Sequence, residues 1–181
     1  MNLIEKYNVS TSEDQMQKAV ADYFAAYEFD RLTGHEWQGV KGTIYREVTI
    51  PNIGRRSDII VKVTDYKIFN IECKTNDIAG VIEQAKDHLY WADYSYICVH
   101  AKTYIAPYHV TTMIENGIGL LLWQNSNQSD MRVEAIVDVF GAGKNTYSDG
   151  KKNKSIREMV LKRLKKIDSK VTAESHEQLS I

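Results

Sequence analysis

Three charged residues interrupt a stretch that otherwise encodes a buried hairpin. Residues 57–74 read SDIIVKVTDYKIFNIECK, in which Ile59, Ile60, Val61, Val63, Ile68, Phe69 and Ile71 favour burial, yet Asp58 opens the stretch and Glu72 and Lys74 close it. If the connection is Thr64–Tyr66, Asp58 falls opposite Glu72 with Cβ atoms roughly 4.5–5.5 Å apart. Lys74, two residues on, shares that face. A two-residue connection would shift the register and break the pairing. Carboxylates this close repel each other unless a cation lies between them. Hard oxygen ligands suit Mg²⁺ or Mn²⁺, with waters and a substrate phosphate completing the shell. An ammonium alongside would orient or deprotonate the attacking water and offset charge on a pentavalent phosphate. The three residues are therefore a candidate site for metal-assisted phosphodiester hydrolysis. They also fit an exposed strand start and a solvent-facing pair, because carboxylate-x-lysine tripeptides are common. The apolar strand they close, and the helix that follows, argue against that plainer reading.

The surrounding elements can be read from periodicity. Met16, Ala19, Val20, Tyr23, Phe24 and Tyr27 recur at helical spacing over 12–28, with Ser10 and Glu13 as a capping box. Residues 43–50 (TIYREVTI) alternate as a strand and enter the turn PNIGRR. A second helix is expected over 77–92, on the stripe Ile78, Val81, Ile82, Ala85, Leu89 and Ala92. Strand YSYICVH (94–100), a short helix after Pro107, and strands 118–123 and 132–140 follow. A last helix carries Ile156, Val160, Leu164 and Ile167 inward, capped by Ser155 with Glu158, before a polar tail from Asp168 that is expected to fray. One α/β layer structure results, with core about 12–140, a basic loop and helix over 141–168 and a polar tail over 169–181.

Bulk properties bound the function classes. The 181 residues, 43% hydrophobic and 26% charged, suit one globular domain. The N-terminus lacks signal-peptide features, and the longest apolar run, around GIGLLLW, is too short to cross a bilayer. Cys73 and Cys98 lie in apolar strands, which suggests free thiols in a reducing cytoplasm. Residues 141–170 hold ten Lys or Arg against three acids, a net of +7, and the remainder carries −8. One basic end favours local contact with a polyanion. GAGKN (141–145) follows a strand but lacks the spacing and the Ser or Thr of a phosphate loop. The histidines His88, His100 and His109 have no ligand spacing and read as ordinary surface or core residues.

Ser57-Asp58 followed by Ile71-Glu72-Cys73-Lys74 resembles the signature of the PD-(D/E)XK nuclease superfamily, which includes restriction endonucleases, junction resolvases and repair nucleases. The likeness covers about residues 12–100. It implies a restriction-endonuclease-like αβββαβ core, a mixed central sheet flanked by helices, here with two added C-terminal strands and a basic C-terminal helix. By that resemblance Asp58 and Glu72 would ligate Mg²⁺ with the backbone carbonyl of Cys73, and Lys74 would act on the attacking water. Mn²⁺ would substitute. Ser57 departs from the proline of the signature's name, at a position that varies. Glu47 would be an additional acid near the metal, with Glu13 the alternative. Gln84 resembles the glutamine many of these nucleases place near the active site. His88 stands four residues on, where a tyrosine sometimes follows, and Tyr90 is nearby. Arg55 and Arg56 would contact phosphates or pair with a neighbouring acid. Lys151, Lys152, Lys154 and Arg157 would supply the electrostatic footprint for DNA.

The expected activity is therefore a Mg²⁺-dependent DNA endonuclease with water as nucleophile. The alternatives are a nuclease fold that only binds nucleic acid or a protein partner, and a structural α/β domain. A homodimer would allow both strands to be cut, with an interface drawn from Tyr94, Tyr96, Tyr104, Tyr108 and Trp123 where these are not core.

Overall fold

A computed structural model describes residues 13–26, 41–65, 67–128, 131–145 and 152–178. Six strands form one mixed sheet in sequential order: β1 (Thr43–Ile50), β2 (Arg55–Thr64), β3 (Lys67–Lys74), β4 (Tyr94–His100), β5 (Ile118–Gln128) and β6 (Met131–Phe140). The pairs β1–β2, β2–β3 and β5–β6 are antiparallel, whereas β3–β4 and β4–β5 are parallel. Helices α1 (Glu13–Ala26), α2 (Ile78–His88), α3 (Pro107–Glu115) and α4 (Lys154–Gln178) flank it. Parallel neighbours need crossovers, and α2 and α3 supply them. No helix among the described residues is long and apolar enough to cross a membrane.

Both faces of the central strands are covered, which is why β3 is buried along nearly its whole length instead of alternating. On one face Met16, Val20 and Phe24 of α1, spaced by one helical turn, pack on Ile59, Val61, Phe69, Ile71 and Cys73. On the other, α2 and α3 cover Ile97, Val99, Ile118 and Leu120. Val160 and Leu164 of α4 cover Ile60 and Ile68 next to Tyr45 and Trp91. Tyr94, Tyr96 and Trp123 belong to the core, while Tyr104 and Tyr108 are exposed.

Helix boundaries follow caps more than stripes. Asp77 caps α2 by accepting from Gly80 N, and a Cβ on Gly80 would clash with that carboxylate. The helix stops at His88, earlier than the stripe suggests, and Leu89, Trp91 and Ala92 continue into the core as a turn. At α4 the cap is Asn153, whose Oδ1 accepts from Ile156 N at 3.1 Å, and not Ser155. That helix runs to Gln178, past the fraying point expected at Asp168. The extension contains no Gly or Pro and is rich in straight-chain helix formers. Asp168 itself accepts from the Tyr45 hydroxyl at 2.8 Å. Ser10 and Tyr27 lie outside the described residues.

The GAGKN segment clamps structure together. Gly143 N donates to Gly117 O, and the Asn145 amide donates to the carbonyls of Leu89 and Ala92.

Candidate active site

Hairpin register decides which charges meet. Thr64 pairs with Lys67, the tight connection that by itself would misalign the hairpin. A register shift between Lys62 and Thr64 adds one residue to β2, so Lys62 pairs with Ile68 and Ile59 with Ile71. The bulge restores the alignment that a longer loop was expected to provide. The next residue of each strand is Asp58 and Glu72. Tyr66 lies outside the described residues.

Asp58 is half-buried, and its Oδ2 accepts from Cys73 N at 2.8 Å. Burial first, and the Glu72 carboxylate second, push its pKa from the ordinary 3.8 up to about 6, against the lowering effect of the Cys73 N–H. Glu72 is 1% exposed, with Oε1 3.2 Å from His88 Nε2 on α2. Lys74 closes β3 and reaches α1, where its Nζ lies 3.0 Å from Glu13 Oε1. The hydrogen bond that Lys74 donates to Glu13 is the largest of the influences that raise the Lys74 pKa. Lys74 is therefore suited to orienting water and offsetting charge as a cation, and poorly suited to removing a proton. Burial pushes the Cys73 thiol well up, with the Cys98 thiol adding to it, so Cys73 is not set up as a nucleophile.

Of the two acids considered as the further member, Glu13 is the one at the site: it pairs with Lys74 and acts electrostatically on Asp58. Glu47 instead falls between the paired positions Arg46–Ile59 and Val48–Ser57 with a positive φ of 53°, and its carboxylate pairs with Arg56 at 3.5 Å. Ser57 has a structural role where the signature's name has proline. It is fully buried, and its hydroxyl donates to Asn70 Oδ1 at 2.6 Å. Asn70 donates on to Ser95 and Ser95 to the Ala85 carbonyl, which ties β2, β3, β4 and α2 together.

The predicted phosphate contacts divide. Arg55 pairs with Asp87 at 2.9 Å, and Arg56 faces Glu47 and lowers the Asp58 pKa. Gln84 is half-buried on α2, one turn before His88. Lys152 and Arg157 must be corrected as DNA contacts. Both turn inward onto Asp93, with side chains 5% and 6% exposed, and Arg157 also donates to the Trp91 and Asp65 carbonyls. Asp93 also accepts from Ile68 N, and a buried carboxylate of this kind captures cations that composition alone assigns to the surface. Lys154 is exposed at the start of α4, and Lys162, Arg163, Lys165 and Lys166 are exposed along it. Lys151 lies outside the described residues.

Among the described residues no group of three or more His, Cys, Asp or Glu side chains is arranged to hold a metal ion. The donor set still fits a hard divalent cation. Two coupled carboxylates come from adjacent strands, Glu72 Oε1 is buried without a well-aligned hydrogen-bond donor, and Mg²⁺ needs only one or two carboxylates beside waters and phosphate. His88 is the residue the sequence reading missed. The signals were its place four residues after Gln84 and its position at the end of the apolar stripe of α2.

No family model matches the chain, and no curated protein matches it. A solved structure, a protein of unknown function from Silicibacter pomeroyi, is similar at 16% identity and a TM-score of 0.48, covering 76% of this chain and 82% of its own.

Proposed function

We propose that the chain is a divalent-metal-dependent nuclease with a restriction-endonuclease-like core of the PD-(D/E)XK kind, acting on DNA. The observation that carries this reading is the coupled pair: Asp58, pushed up to about 6 by burial and by Glu72, one strand from Lys74. Such a pair, only partly offset by the hydrogen bond that Asp58 accepts from Cys73 N, costs stability, as is common for functional groups. Asp58, Glu72 and the Cys73 carbonyl would hold Mg²⁺ or Mn²⁺. The bound cation would supply a lowered pKa for water and polarisation of the phosphoryl oxygen. Lys74, kept charged by Glu13, would donate to the attacking water and offset charge on the phosphate. Exposed lysines of α4 and Arg56 would attract the polyanion.

A second reading, a nuclease fold that binds nucleic acid without cutting it, draws on the burial of Glu72 against His88. One assay separates them. Supercoiled, linear, single-stranded and branched DNA are incubated with Mg²⁺, Mn²⁺ or EDTA, using wild type and Lys74→Ala. Metal-dependent cutting that the substitution abolishes supports the nuclease. Binding without cutting on every substrate moves the second reading ahead, and cutting that survives Lys74→Ala sinks the assigned site.

A further inference from the structure

We propose that His88 is a positioning residue that holds the Glu72 carboxylate, with Trp91 fixing the tautomer it needs. The proposal rests on reading Glu72 as a catalytic carboxylate. Trp91 Nε1–H donates to His88 Nδ1 at 3.0 Å. An imidazole nitrogen that accepts carries no hydrogen, so the hydrogen sits on Nε2. That nitrogen lies 3.2 Å from Glu72 Oε1. Both side chains are essentially inaccessible, at 0% and 1%, and the two atoms, though close, are not aligned as a hydrogen bond and have no other partner.

A buried donor beside a buried carboxylate oxygen, each without another partner, has few alternatives but to pair with it as the site closes on a cation, because leaving either group unpaired is costly. Packing alone does not explain the pair. The other buried polar groups between α2 and β3, Asn70 and Ser95, have their hydrogen bonds satisfied, whereas an apolar side chain at position 88 would avoid desolvating an unpaired polar group.

The arrangement is braced from behind. Trp91 N and Ala92 N both donate to the His88 carbonyl, at 3.1 and 2.9 Å, which closes the turn that presents the indole. The Trp91 carbonyl accepts from Arg157, which is anchored on Asp93. A polar chain therefore runs from α4 through Trp91 and His88 to Glu72. Arg157 reaches the candidate site through this chain and not through DNA. Such outer partners of a carboxylate ligand are worth about 10- to 100-fold in metal affinity or activity.

The test uses the full chain as wild type, His88→Phe, His88→Gln and Trp91→Phe. Mn²⁺ and Mg²⁺ binding is measured by calorimetry without DNA, plasmid cleavage is measured against Mg²⁺ concentration, and melting is followed in parallel. His88→Phe and Trp91→Phe are expected to raise the metal concentration at half-saturation about 10- to 100-fold. His88→Gln restores most of the loss, because its amide N–H replaces the lost donor. A packing role would lower the melting temperature without moving the metal midpoint. Wild-type metal binding and an unchanged Mg²⁺ midpoint in His88→Phe overturn the proposal and leave the nuclease reading intact. Should His88→Phe fail to fold, Trp91→Phe decides, since it keeps the imidazole and removes the donor that fixes its tautomer. A wild type that neither binds metal nor cuts DNA overturns both.

Discussion

Replacing Asp58 with asparagine removes the cost of keeping a carboxylate charged in a half-buried position beside Glu72. An acid whose pKa is higher folded than unfolded binds more protons in the folded state between the two values, so stability falls as pH rises through that window. For Asp58 the window runs from the ordinary 3.8 to about 6. Two pKa units correspond to roughly 3 kcal/mol, which wild type loses fully only above the upper value. The Cys73 N–H already opposes the shift, so this is a net figure. In a domain of this size, 1 kcal/mol moves the melting point by about 2–4 °C. Asp58→Asn should therefore melt roughly 6–12 °C above wild type near pH 8, with the gap closing towards about pH 4. Thermal unfolding of both proteins across that pH range, in EDTA, reads the effect directly. Saturating Mg²⁺ near pH 8 should raise the wild-type melting point and leave the variant unchanged, because the cation relieves the same repulsion. A variant no more stable than wild type at high pH, or an advantage that does not vary with pH, would refute the reasoning about the coupled carboxylates.

Three further predictions concern the frame around the site. Asp93→Ala strands Lys152 and Arg157 as buried cations, and the urea midpoint should fall by the equivalent of about 3–5 kcal/mol, whereas a loss under about 1 kcal/mol would mean the cluster is solvated. Leu164→Ala empties a fully buried position between α4 and the sheet and should cost about 2–5 kcal/mol in the same measurement; a near-neutral result would show that α4 docks only loosely. Replacing exposed Lys162 and Lys166 with alanine should weaken DNA binding across all sequences and flatten the salt dependence by about 0.9 per lysine in contact. An unchanged slope would remove α4 from the DNA footprint.

Local patterns in the chain specify the elements and the three charges. Helical spacing of Met16, Val20 and Phe24, alternation in 43–50 and the apolar runs of β3 and β4 are local signals, and each became the element it predicted. Asp58, Glu72 and Lys74 were legible because a charge closing an apolar strand contradicts its context. Tertiary structure decided what those charges and their neighbours touch. The bulge near Val63 set the register, and no residue type announces a bulge. The position of α1 brings Glu13 to Lys74, 61 residues away in the chain, whereas Glu47, the other acid considered near the metal, pairs with Arg56. Lys152 and Arg157 looked like surface cations because composition cannot show that Asp93 waits, buried, to receive them. His88 looked ordinary because its partner Glu72 meets it only when α2 packs on β3, although Trp91 reaches it through the local turn. Periodicity records which face a residue points to, and only the packed sheet fixes which group waits there.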